Sequence, residues 1–525
     1  MKKIIFGIDL GTTNSCIAYM NGTTPIVIEN PEGMKTTPSV VAFKKDNDHL
    51  QIIVGEKAKR QMIVNPNTII SVKRTMGSGK KFFIFDKQYT PEEISGDILH
   101  YLYDFAAKKL NTTSNQVVIT VPAYFDETQR QATIDAGKIA GLDVVKIINE
   151  PTAAALAYGL DKKDQKQIIL VYDLGGGTFD VSILGMNGKG KEGAASFQVL
   201  ATNGNKHLGG DDWDQVLMDE IVSQIKNQYL IDLSKDKTAM QRIKDAAEKA
   251  KIELSSSTSA KVDLPFIAKT RDGTPVNFSC EFTRDQFEQM TKFLLDQTID
   301  PVKQAINDAH LNINDINEIL LVGGSTRMPA VETLVRNLTG KEPNRTINPD
   351  EVVAVGAAVQ AAMLAGDIND IMLDDITPLS LGTIDYHGNN VVVIPKNTII
   401  PAKRTEPFTT VEDNQTSIRF QVTQGESPIG KENQVIGEFV IKGIREAPAG
   451  VPNIQLTYSM DDNGILHCTA YDVDTNNEVS IDINTSNLTP EELNRILTEN
   501  KKLHEKEEKE KKQAEKEYKT KTSFK

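Results

Sequence analysis

Cysteine is scarce in this sequence, and its positions do not favour cross-links or metal binding. The three cysteines, Cys16, Cys280 and Cys468, are far apart and odd in number, and no Cys-X-X-Cys pair occurs. This pattern argues against a disulfide framework and against a cysteine-based zinc site. It is typical of a protein that works in a reducing compartment.

Long hydrophobic runs are also missing. No stretch approaches the ~18 uninterrupted apolar residues that a transmembrane helix needs. The N-terminus, MKKIIFGIDLGTT, carries two lysines and a short apolar run. A Gly-Thr-Thr turn follows at once, where a signal peptide would continue its apolar region. The sequence therefore predicts a cytoplasmic protein without membrane attachment.

Positive charge is in the minority. Lysine and arginine total 59 against 72 aspartate and glutamate residues, which gives a formal net charge of −13. A strongly acidic chain binds nucleic acid or anionic membrane poorly, so neither is expected as a partner. The length of 525 residues predicts about three or four domain-sized units.

The first part of the chain alternates predicted strands and helices. Residues 4–8 and 168–172 are interpreted as buried strands, and similar Asp-Leu-Gly phrases follow them, starting at Asp9 and at Asp173. The segments with helical periodicity are 126–140, 240–254 and 351–365. The repeated strand and turn predict an α/β domain with two related lobes.

The residue pattern changes after about residue 365. Residues 370–376 form a short apolar and acidic bridge, and 378–485 hold many short strands separated by turn signals. Regular short strands predict a β-sandwich or barrel. Thr489 begins a capping box, Thr-Pro-Glu-Glu, that predicts a helix. Beyond Leu503 the chain is mostly Lys and Glu, which predicts a solvated helix or a disordered tail.

Two glycine-rich turns have the composition of phosphate-binding loops. Such a loop needs backbone N–H groups that approach oxygens closely, which glycine allows, and a nearby carboxylate can hold Mg²⁺ directly or through water. The segments 9–13 and 173–178 both supply these groups. A single turn of this kind is equally well explained as a strand connection, but its repetition behind two buried strands favours phosphate binding.

A third glycine turn, Gly323-Gly324, follows a buried apolar run and precedes Arg327. The flat guanidinium of Arg327 could stack on an adenine ring. Taken alone, the segment is better explained as a strand-to-helix turn with a surface arginine. As the third glycine turn behind a strand, it is predicted to form a base site.

Segments along the whole chain resemble the signatures of one family. Those of the first part are IDLGTTNS, VPAYFDETQRQAT, NEPTAAALAYG, DLGGGTFDVSI, LGGDDWD, LVGGSTRMP and NPDEVVAVGAA. Those of the second part are TPLSLG, EDNQ, TQGE and NGILHCTA. In this order they resemble the heat-shock 70 kDa chaperone family, bacterial DnaK type. The resemblance implies an ATP-dependent chaperone, an ATP hydrolase that couples binding and release of extended hydrophobic peptide segments to ATP hydrolysis.

The resemblance implies a multidomain fold, in which an α/β actin-like ATPase with duplicated lobes precedes an all-β sandwich and a short C-terminal helix. The predicted domains are 1–369 (nucleotide-binding ATPase), 370–376 (interdomain linker), 377–486 (substrate-binding sandwich) and 487–525 (start of a helical lid, charged and truncated).

The resemblance also assigns a hydrolytic centre. The implied catalytic residues are Lys73, Glu150, Asp173, Thr178 and Asp180. Lys73 is similar to the lysine that faces the γ-phosphate, and Glu150 to the carboxylate that helps to arrange the centre. Asp9 and Asp173 resemble the pair that organises Mg²⁺, mainly through water. By composition alone, Lys73 would be a surface lysine and Glu150 a charge at a helix N-terminus.

The implied cofactors are ATP or ADP and Mg²⁺, with K⁺ as a further candidate. The residues implied to lie near the phosphates are Gly11, Thr12, Thr13, Asn14, Gly175, Gly176, Gly177, Gly210 and Asp211. The residues implied to surround ribose and adenine are Glu248, Lys251, Ser255, Gly323, Gly324, Ser325, Arg327 and Asp350.

A peptide groove and a relay to the linker are implied in the same way. The residues that resemble the pocket walls are Phe408, Ile418, Phe420 and Val422, and those that resemble the arch over the peptide are Tyr386 and Val411. Alternation along 418–422 puts the apolar residues on one face, which without the family would be interpreted as sandwich core. The residues that resemble the relay are Pro122, Arg130, Leu373 and Asp375.

The partners implied by the resemblance are unfolded or extended polypeptides, a J-domain co-chaperone and a GrpE-type nucleotide-exchange factor.

Three features depart from the family pattern. The interval between Lys73 and Glu150 is short, which predicts that one subdomain lacks a surface insertion. Asp374 stands where the linker usually has a fourth apolar residue. Because burial of a carboxylate is costly, Asp374 is expected to weaken linker docking. The chain ends soon after the first lid helix begins, and we expect that helix to lie against the sandwich through Leu493, Ile496 and Leu497.

Three other functions fit parts of the sequence. A small-molecule kinase or a filament-forming protein of the actin-like superfamily would explain the phosphate turns, but neither explains the β-rich residues 378–485. A passive peptide-binding module with an inactive ATPase would explain the sandwich, but it conflicts with the intact set of Asp, Lys, Glu and Thr residues in the cleft.

Overall fold

The computed structural model describes residues 4–46, 49–162, 164–188, 194–483 and 486–523. The first lobe is built around a mixed sheet. Its strands are β1 (Phe6–Asp9), β2 (Asn14–Asn21), β3 (Thr24–Val27), β4 (Thr37–Pro38), β5 (Val41–Asp46), β6 (His49–Val54), β7 (Thr68–Ile69), β8 (Phe82–Ile84), β9 (Lys87–Tyr89), β10 (Gln116–Val121) and β11 (Asp143–Asn149). Its helices are α1 (Glu56–Gln61), α2 (Pro91–Leu110), α3 (Glu127–Ile139) and α4 (Glu150–Gly159), with a 3₁₀ helix at Val72–Thr75.

The second lobe follows directly in the chain. Its strands are β12 (Gln167–Leu174), β13 (Phe179–Asn187), β14 (Ala195–Asn205), β15 (Ser259–Lys269), β16 (Pro275–Thr283) and β17 (Glu318–Val322). Its helices are α5 (Gly210–Tyr229), α6 (Lys237–Leu254), α7 (Arg284–Asp296), α8 (Ile299–Asp308), α9 (Pro329–Thr339) and α10 (Val352–Leu364).

Both lobes contain the same sheet arrangement. In the first, β1, β2 and β3 form an antiparallel meander, and β10 and β11 continue the sheet in parallel from β1. In the second, β12, β13 and β14 form the meander, and β17 pairs in parallel with β12. The predicted duplication is confirmed.

Helices α4 and α10 pack against each other between the two sheets. Their backbones approach closely at Gly356, where a Cβ would lie 1.7 Å from the carbonyl oxygen of Ala153. Only glycine fits such an approach. The three predicted helical segments correspond to α3, α6 and α10, with ends within three residues of the prediction. These elements fix the cleft between the lobes.

The linker forms a strand, β18 (Ile371–Ile376), rather than a loop. It pairs in parallel with β14 of the second lobe and antiparallel with the following short strand, β21 (Ile399–Ile400). The linker is therefore part of the sheet of the second lobe.

The β-rich part is a sandwich of two four-stranded sheets. The remaining strands are β19 (Leu381–Ile384), β20 (Asn390–Ile394), β22 (Ala402–Phe408), β23 (Ser417–Gln424), β24 (Gln434–Lys442), β25 (Ile454–Met460), β26 (Leu466–Asp472) and β27 (Asn477–Asp482). One sheet has the order β20-β19-β23-β24 and the other β22-β25-β26-β27. Their inner faces share one apolar core. The predicted sandwich is confirmed.

The C-terminal helix α11 (Pro490–Ser523) starts with the predicted capping box. The backbone N–H of Glu492 donates to Thr489 Oγ1 at 3.1 Å, and the N–H of Thr489 donates to Glu492 Oε2 at 3.0 Å. These bonds satisfy amide groups that a helix N-terminus leaves without partners. No helix among the described residues has the length and apolarity needed to cross a membrane.

The prediction that α11 packs against the sandwich was wrong. Leu488 and Ile496 form a buried cluster with Ile139 at the end of α3 in the first lobe. Leu493 and Leu497 pack against the same cluster. Polar contacts support this position, because Lys87 Nζ lies 2.9 Å from Glu499 Oε2. The helix therefore lies against the first lobe, where Ile139 offers an apolar surface for its short apolar face.

Candidate nucleotide and peptide sites

A cavity of about 340 Å³ lies in the cleft between the lobes. Its lining includes most of the residues predicted for the nucleotide: Asp9, Gly11, Thr12, Thr13, Asn14, Lys73, Glu150, Asp173, Gly175, Gly176, Thr178, Glu248, Lys251, Ser255, Gly323, Gly324, Ser325, Arg327 and Asp350. These residues come from both lobes and from seven separate stretches of sequence, so the fold brings them together.

The two phosphate turns face each other across the cleft. A Cβ on Gly176 would lie 2.0 Å from Thr13 Oγ1. A side chain at position 176 would therefore force the Thr13 hydroxyl to move. The first turn is itself held in shape, since the N–H of Gly11 donates to Ser15 Oγ at 3.2 Å. The lack of a side chain at Gly176 thus lets the second turn lie directly against Thr13 of the first turn.

A buried ion pair holds Lys73 in the wall of the same cavity. Its Nζ lies 2.5 Å from Glu150 Oε1 and 5.7 Å from the centre of the Phe125 ring. Both charged side chains are largely buried. Lys73 sits on the 3₁₀ helix of the first lobe and Glu150 begins α4. The pairing fixes the direction in which the ammonium group points into the cavity.

Carboxylates outnumber cations at the floor of the cavity, where Asp9, Glu150 and Asp173 line it, and Asp180 lies just behind. Burial and the nearby Glu150 raise the pKa of Asp9 and of Asp180 to about 7, and the same causes raise the pKa of Asp173 well above its usual value. Asp180 accepts a hydrogen bond from the N–H of Tyr124 at 2.8 Å. Its other oxygen is buried without a hydrogen-bond partner in the part of the chain that the structure describes. Such a group of carboxylates fits a site that receives a cation.

The residues present fit Mg²⁺ bound together with a nucleotide. Across the described ranges, no cluster of three or more His, Cys, Asp or Glu side chains could hold a metal ion by itself. Mg²⁺ usually keeps several waters and binds through one or two carboxylates plus substrate phosphates. Asp9 and Asp173 would hold the ion in this way, and the ion would neutralise charge on the phosphates.

The opposite end of the cavity has the residues predicted for ribose and adenine. Lys251 Nζ donates to the carbonyl oxygen of Gly210 at 3.0 Å and pairs with Asp214 at 2.8 Å. Ser325 Oγ donates to the carbonyl oxygen of Gly175 at 2.9 Å. Arg327 is half exposed and pairs with Asp350 at 2.5 Å. The Asp350 partner fixes the plane of the guanidinium at the edge of the cavity.

Four predicted residues lie behind the cavity wall rather than on it: Asp180, Gly177, Gly210 and Asp211. Gly210 and Asp211 support the second turn, because their N–H groups donate to the carbonyl oxygens of Gly175 and Gly176, each at 2.9 Å.

Apolar lining residues were missed by the sequence reasoning: Ile252, Val322, Met328, Pro349 and Val353. They come from separate elements, and no local pattern distinguishes them from core residues.

Of the four residues predicted for the relay, Leu373 and Asp375 lie in the linker strand, and Arg130 is linked to Asp375 through Asn149. Arg130 Nη2 donates to Asn149 Oδ1 at 2.7 Å, and Asn149 Nδ2 donates to Asp375 Oδ2 at 2.9 Å. Leu373 packs against the apolar core that α4 and α10 share with the sheet of the second lobe. Pro122 is buried, and its carbonyl oxygen accepts from the N–H of Phe125 at 3.2 Å. Asn149, which sequence reasoning missed, is the hydrogen-bonded link between Arg130 and Asp375.

The expectation for Asp374 was wrong. Its side chain is exposed, whereas its neighbour Asp375 lies at the buried side of the linker. The reason is the strand itself, since successive side chains point to opposite faces. Leu373 therefore faces the lobe, while Met372 and Asp374 face solvent. The Asp374 carboxylate is not buried, so the free-energy cost expected for its burial does not arise.

The sandwich contacts the first lobe beside the linker. The N–H of Glu127, at the start of α3, donates to Gln424 Oε1 at 3.2 Å, and the N–H of Ile147 donates to Asn463 Oδ1 at 3.3 Å. Burial raises the pKa of Glu127 to about 8; nearby Arg130 opposes the shift and Asp461 adds to it. The packed arrangement thus favours the protonated form of Glu127.

The predicted peptide residues lie on the sandwich with very different exposure. Phe420 and Val422 are buried in the sandwich core, and Phe420 contacts Phe408 edge to face, with ring centres 5.4 Å apart. Ile418 and Phe408 are half buried at the margin of this core. The two residues predicted for the arch, Tyr386 and Val411, are exposed. Ile418 and Phe408 are therefore the pocket candidates that a ligand could reach.

The fold and the cavity define a class, that of two-lobed nucleotide-binding proteins joined by a linker strand to a β-sandwich. A family model described as "Hsp70 protein" matches residues 5–84 and 81–525. The chain is 52% identical over 506 residues to "Chaperone protein DnaK" of Ureaplasma urealyticum serovar 10, which covers 96% of this chain and 83% of that protein. It is 52% identical over 499 residues to the protein of the same name from Mycoplasma mycoides subsp. mycoides SC, covering 95% and 83%.

The chain therefore belongs to the Hsp70 family. It is an ATP-dependent molecular chaperone and an ATPase, it uses ATP or ADP with Mg²⁺, and it binds unfolded polypeptides.

Proposed function

We propose that this chain couples nucleotide turnover in the cleft to peptide release from the sandwich through the linker strand β18. The observation that carries the proposal is the double pairing of β18: residues 371–374 pair with β14 of the ATPase, and residues 375–376 pair with β21, which leads into β22 of the sandwich. Asp375 adds a side-chain connection to Asn149 and Arg130. Movement of either lobe would thus be transmitted to the sandwich.

The proposal assigns the roles of the site residues. Lys73, Glu150, Asp173, Thr178 and Asp180 position the attacking water and stabilise charge on the γ-phosphate, with Asp9 and Asp173 organising Mg²⁺. Positioning and charge stabilisation are the main contributions that a protein makes to phosphoryl transfer. The excess of carboxylates over cations at the cavity floor supports a second cation as well, for which K⁺ is the candidate.

We also propose the domain bounds, the peptide contacts, the partner proteins and the location of this chain. The domains are 1–369, 370–376, 377–486 and 487–525. The peptide contacts the pocket formed around Ile418 and Phe408 under the arch of Tyr386 and Val411. Family membership supports a J-domain co-chaperone and a GrpE-type nucleotide-exchange factor as partners. The three cysteines are far apart and odd in number, which supports a reducing and therefore cytoplasmic location.

Leu373→Asp is expected to reduce the acceleration of peptide release by ATP. The new carboxylate would have to leave water to pack against the apolar core that Leu373 contacts, and burial of an unpaired charge is costly. Met372→Asp is the matched control, because Met372 lies next to it in the same strand and is 47% exposed. The measurement is the release rate of a fluorescent peptide with and without ATP. Equal acceleration in both variants would contradict coupling through β18.

A further inference from the structure

Arg74 connects the catalytic lysine segment to the second phosphate turn. It directly follows Lys73 on the 3₁₀ helix of the first lobe. The stem of Arg74 lies against the second lobe, since a Cβ on Gly177 would be 2.7 Å from Arg74 Cγ. The same Cβ would be 2.9 Å from Thr12 Oγ1. The Arg74 stem therefore lies where the two phosphate turns meet.

The guanidinium of Arg74 crosses the cleft to the start of α5. Its Nη2 lies 3.1 Å from Asp212 Oδ1 and 3.2 Å from Asp212 Oδ2, and it donates to the carbonyl oxygen of His207 at 3.0 Å. Its Nη1 lies 3.8 Å from Asp211 Oδ2. Exposed ion pairs contribute little, but here the Arg74 side chain is only 21% exposed and bonds to several acceptors at once.

Asp212 in turn supports the loop before α5, which packs on the second phosphate turn. Its Oδ2 accepts from the N–H of Gly209 at 2.8 Å. Gly209 lies so close to the turn that a Cβ there would be 2.4 Å from the nitrogen of Gly177. The next two residues then hold the turn through the backbone bonds to Gly175 and Gly176 described above. One continuous set of contacts thus runs from Arg74 to the turn that precedes Thr178.

We propose that Arg74 is a positioning residue for ATP hydrolysis, which keeps Lys73 of the first lobe in register with the phosphate turn 175–178 of the second lobe through Asp212. The inference rests on the proposed roles of Lys73 and of this turn. Arg74 does not line the nucleotide cavity, and its Nη2 is already bound by Asp212 and by the carbonyl oxygen of His207, so it acts on the reaction through its neighbours.

The test uses the full chain and single-turnover hydrolysis at saturating ATP. Arg74→Ala is expected to lower the rate about tenfold or more, because a misplacement of about 1 Å can reduce a rate ~100-fold. The ATP concentration for half-maximal rate should change little, since loss of an interaction made only in the transition state lowers kcat and leaves KM. Asp212→Asn keeps an oxygen for the N–H of Gly209 but removes the charge that Arg74 binds, and it should have a similar effect.

Two further variants make the test specific. The double variant Arg74→Ala/Asp212→Asn should be no slower than the slower single variant, because both remove the same link. Lys59→Ala breaks a different ion pair between the lobes, that of Lys59 with Glu248 at 3.0 Å, and it should leave the rate at saturating ATP unchanged.

The results separate this inference from the proposed function. Three results would each overturn the positioning role. Arg74→Ala could hydrolyse ATP at the wild-type rate, or the rate losses of the two single variants could multiply in the double variant. The third is a rate loss in Lys59→Ala equal to that in Arg74→Ala. If wild type and Lys73→Ala hydrolysed ATP equally, the assignment of the catalytic centre would fail instead. Unchanged melting temperatures together with a lower rate support positioning, because an effect on folding alone would lower the melting temperature.

Discussion

Lys73→Ala is expected to lower single-turnover ATP hydrolysis by about a hundredfold or more, because loss of one preorganised donor to developing charge costs roughly 100–1,000-fold in rate. Lys73 is buried, and its partner Glu150 holds it 2.5 Å away beneath the phosphate turns. Without the ammonium group, charge that develops on the γ-phosphate loses its fixed counter-charge.

ADP binding should survive this substitution. The lining of the cavity at the ribose and adenine end, which includes Lys251, Ser325 and Arg327, lies on the second lobe and does not depend on Lys73. The rate is measured after rapid mixing with radiolabelled ATP, and ADP affinity by displacement of a fluorescent nucleotide. Lys80→Ala is the control, since Lys80 is an exposed lysine seven residues further along the chain. Normal hydrolysis in Lys73→Ala would remove Lys73 from the catalytic centre.

Ile418→Phe is expected to weaken the binding of an apolar heptapeptide about tenfold or more, because over-packing a formed site costs about 1–3 kcal/mol. Ile418 is half buried at the margin of the sandwich core, where a larger ring would fill the space that a peptide side chain needs. The ATPase cleft is remote from this strand, so basal hydrolysis should be unchanged.

The matched control for the peptide site is Arg419→Phe. It introduces the same ring one residue further along β23, on the opposite face of the strand. Arg419 is exposed and makes only a surface ion pair with Glu438 at 3.5 Å, and such pairs contribute little. Fluorescence anisotropy with a labelled peptide gives both affinities. If Ile418→Phe binds as well as wild type, the pocket lies elsewhere.

Local signals predicted the elements of the nucleotide cleft well. A buried strand followed by a Gly-rich turn predicted both turns that line the cavity, because glycine leaves room for the close contact seen between Gly176 and Thr13. The helix start at Thr489 was also predicted, since a capping box depends only on residues three apart. The duplicated lobes followed from the repetition of one strand and turn.

Contacts between distant segments were harder to predict. The apolar face of α11 was predicted, but its partner Ile139 lies more than 300 residues earlier, and no sequence pattern links the two. The contact between Glu127 and Gln424 likewise joins distant segments that no sequence pattern links.

The error at Asp374 was avoidable. Alternation along a strand would have assigned Leu373 to the buried face and Asp374 to solvent. No strand is predicted from the sequence for residues 370–376, so the alternation was not applied to them.

ATP bound in the cleft is expected to act on peptide held by the sandwich. The direct test is stopped-flow release of a fluorescent extended peptide from the full chain, started by mixing with ATP or with ADP, each with Mg²⁺ and excess unlabelled peptide. The account predicts that release is markedly faster with ATP than with ADP. Equal release rates with the two nucleotides would contradict it, and they would describe an ATPase and a peptide-binding sandwich that share a chain without communicating.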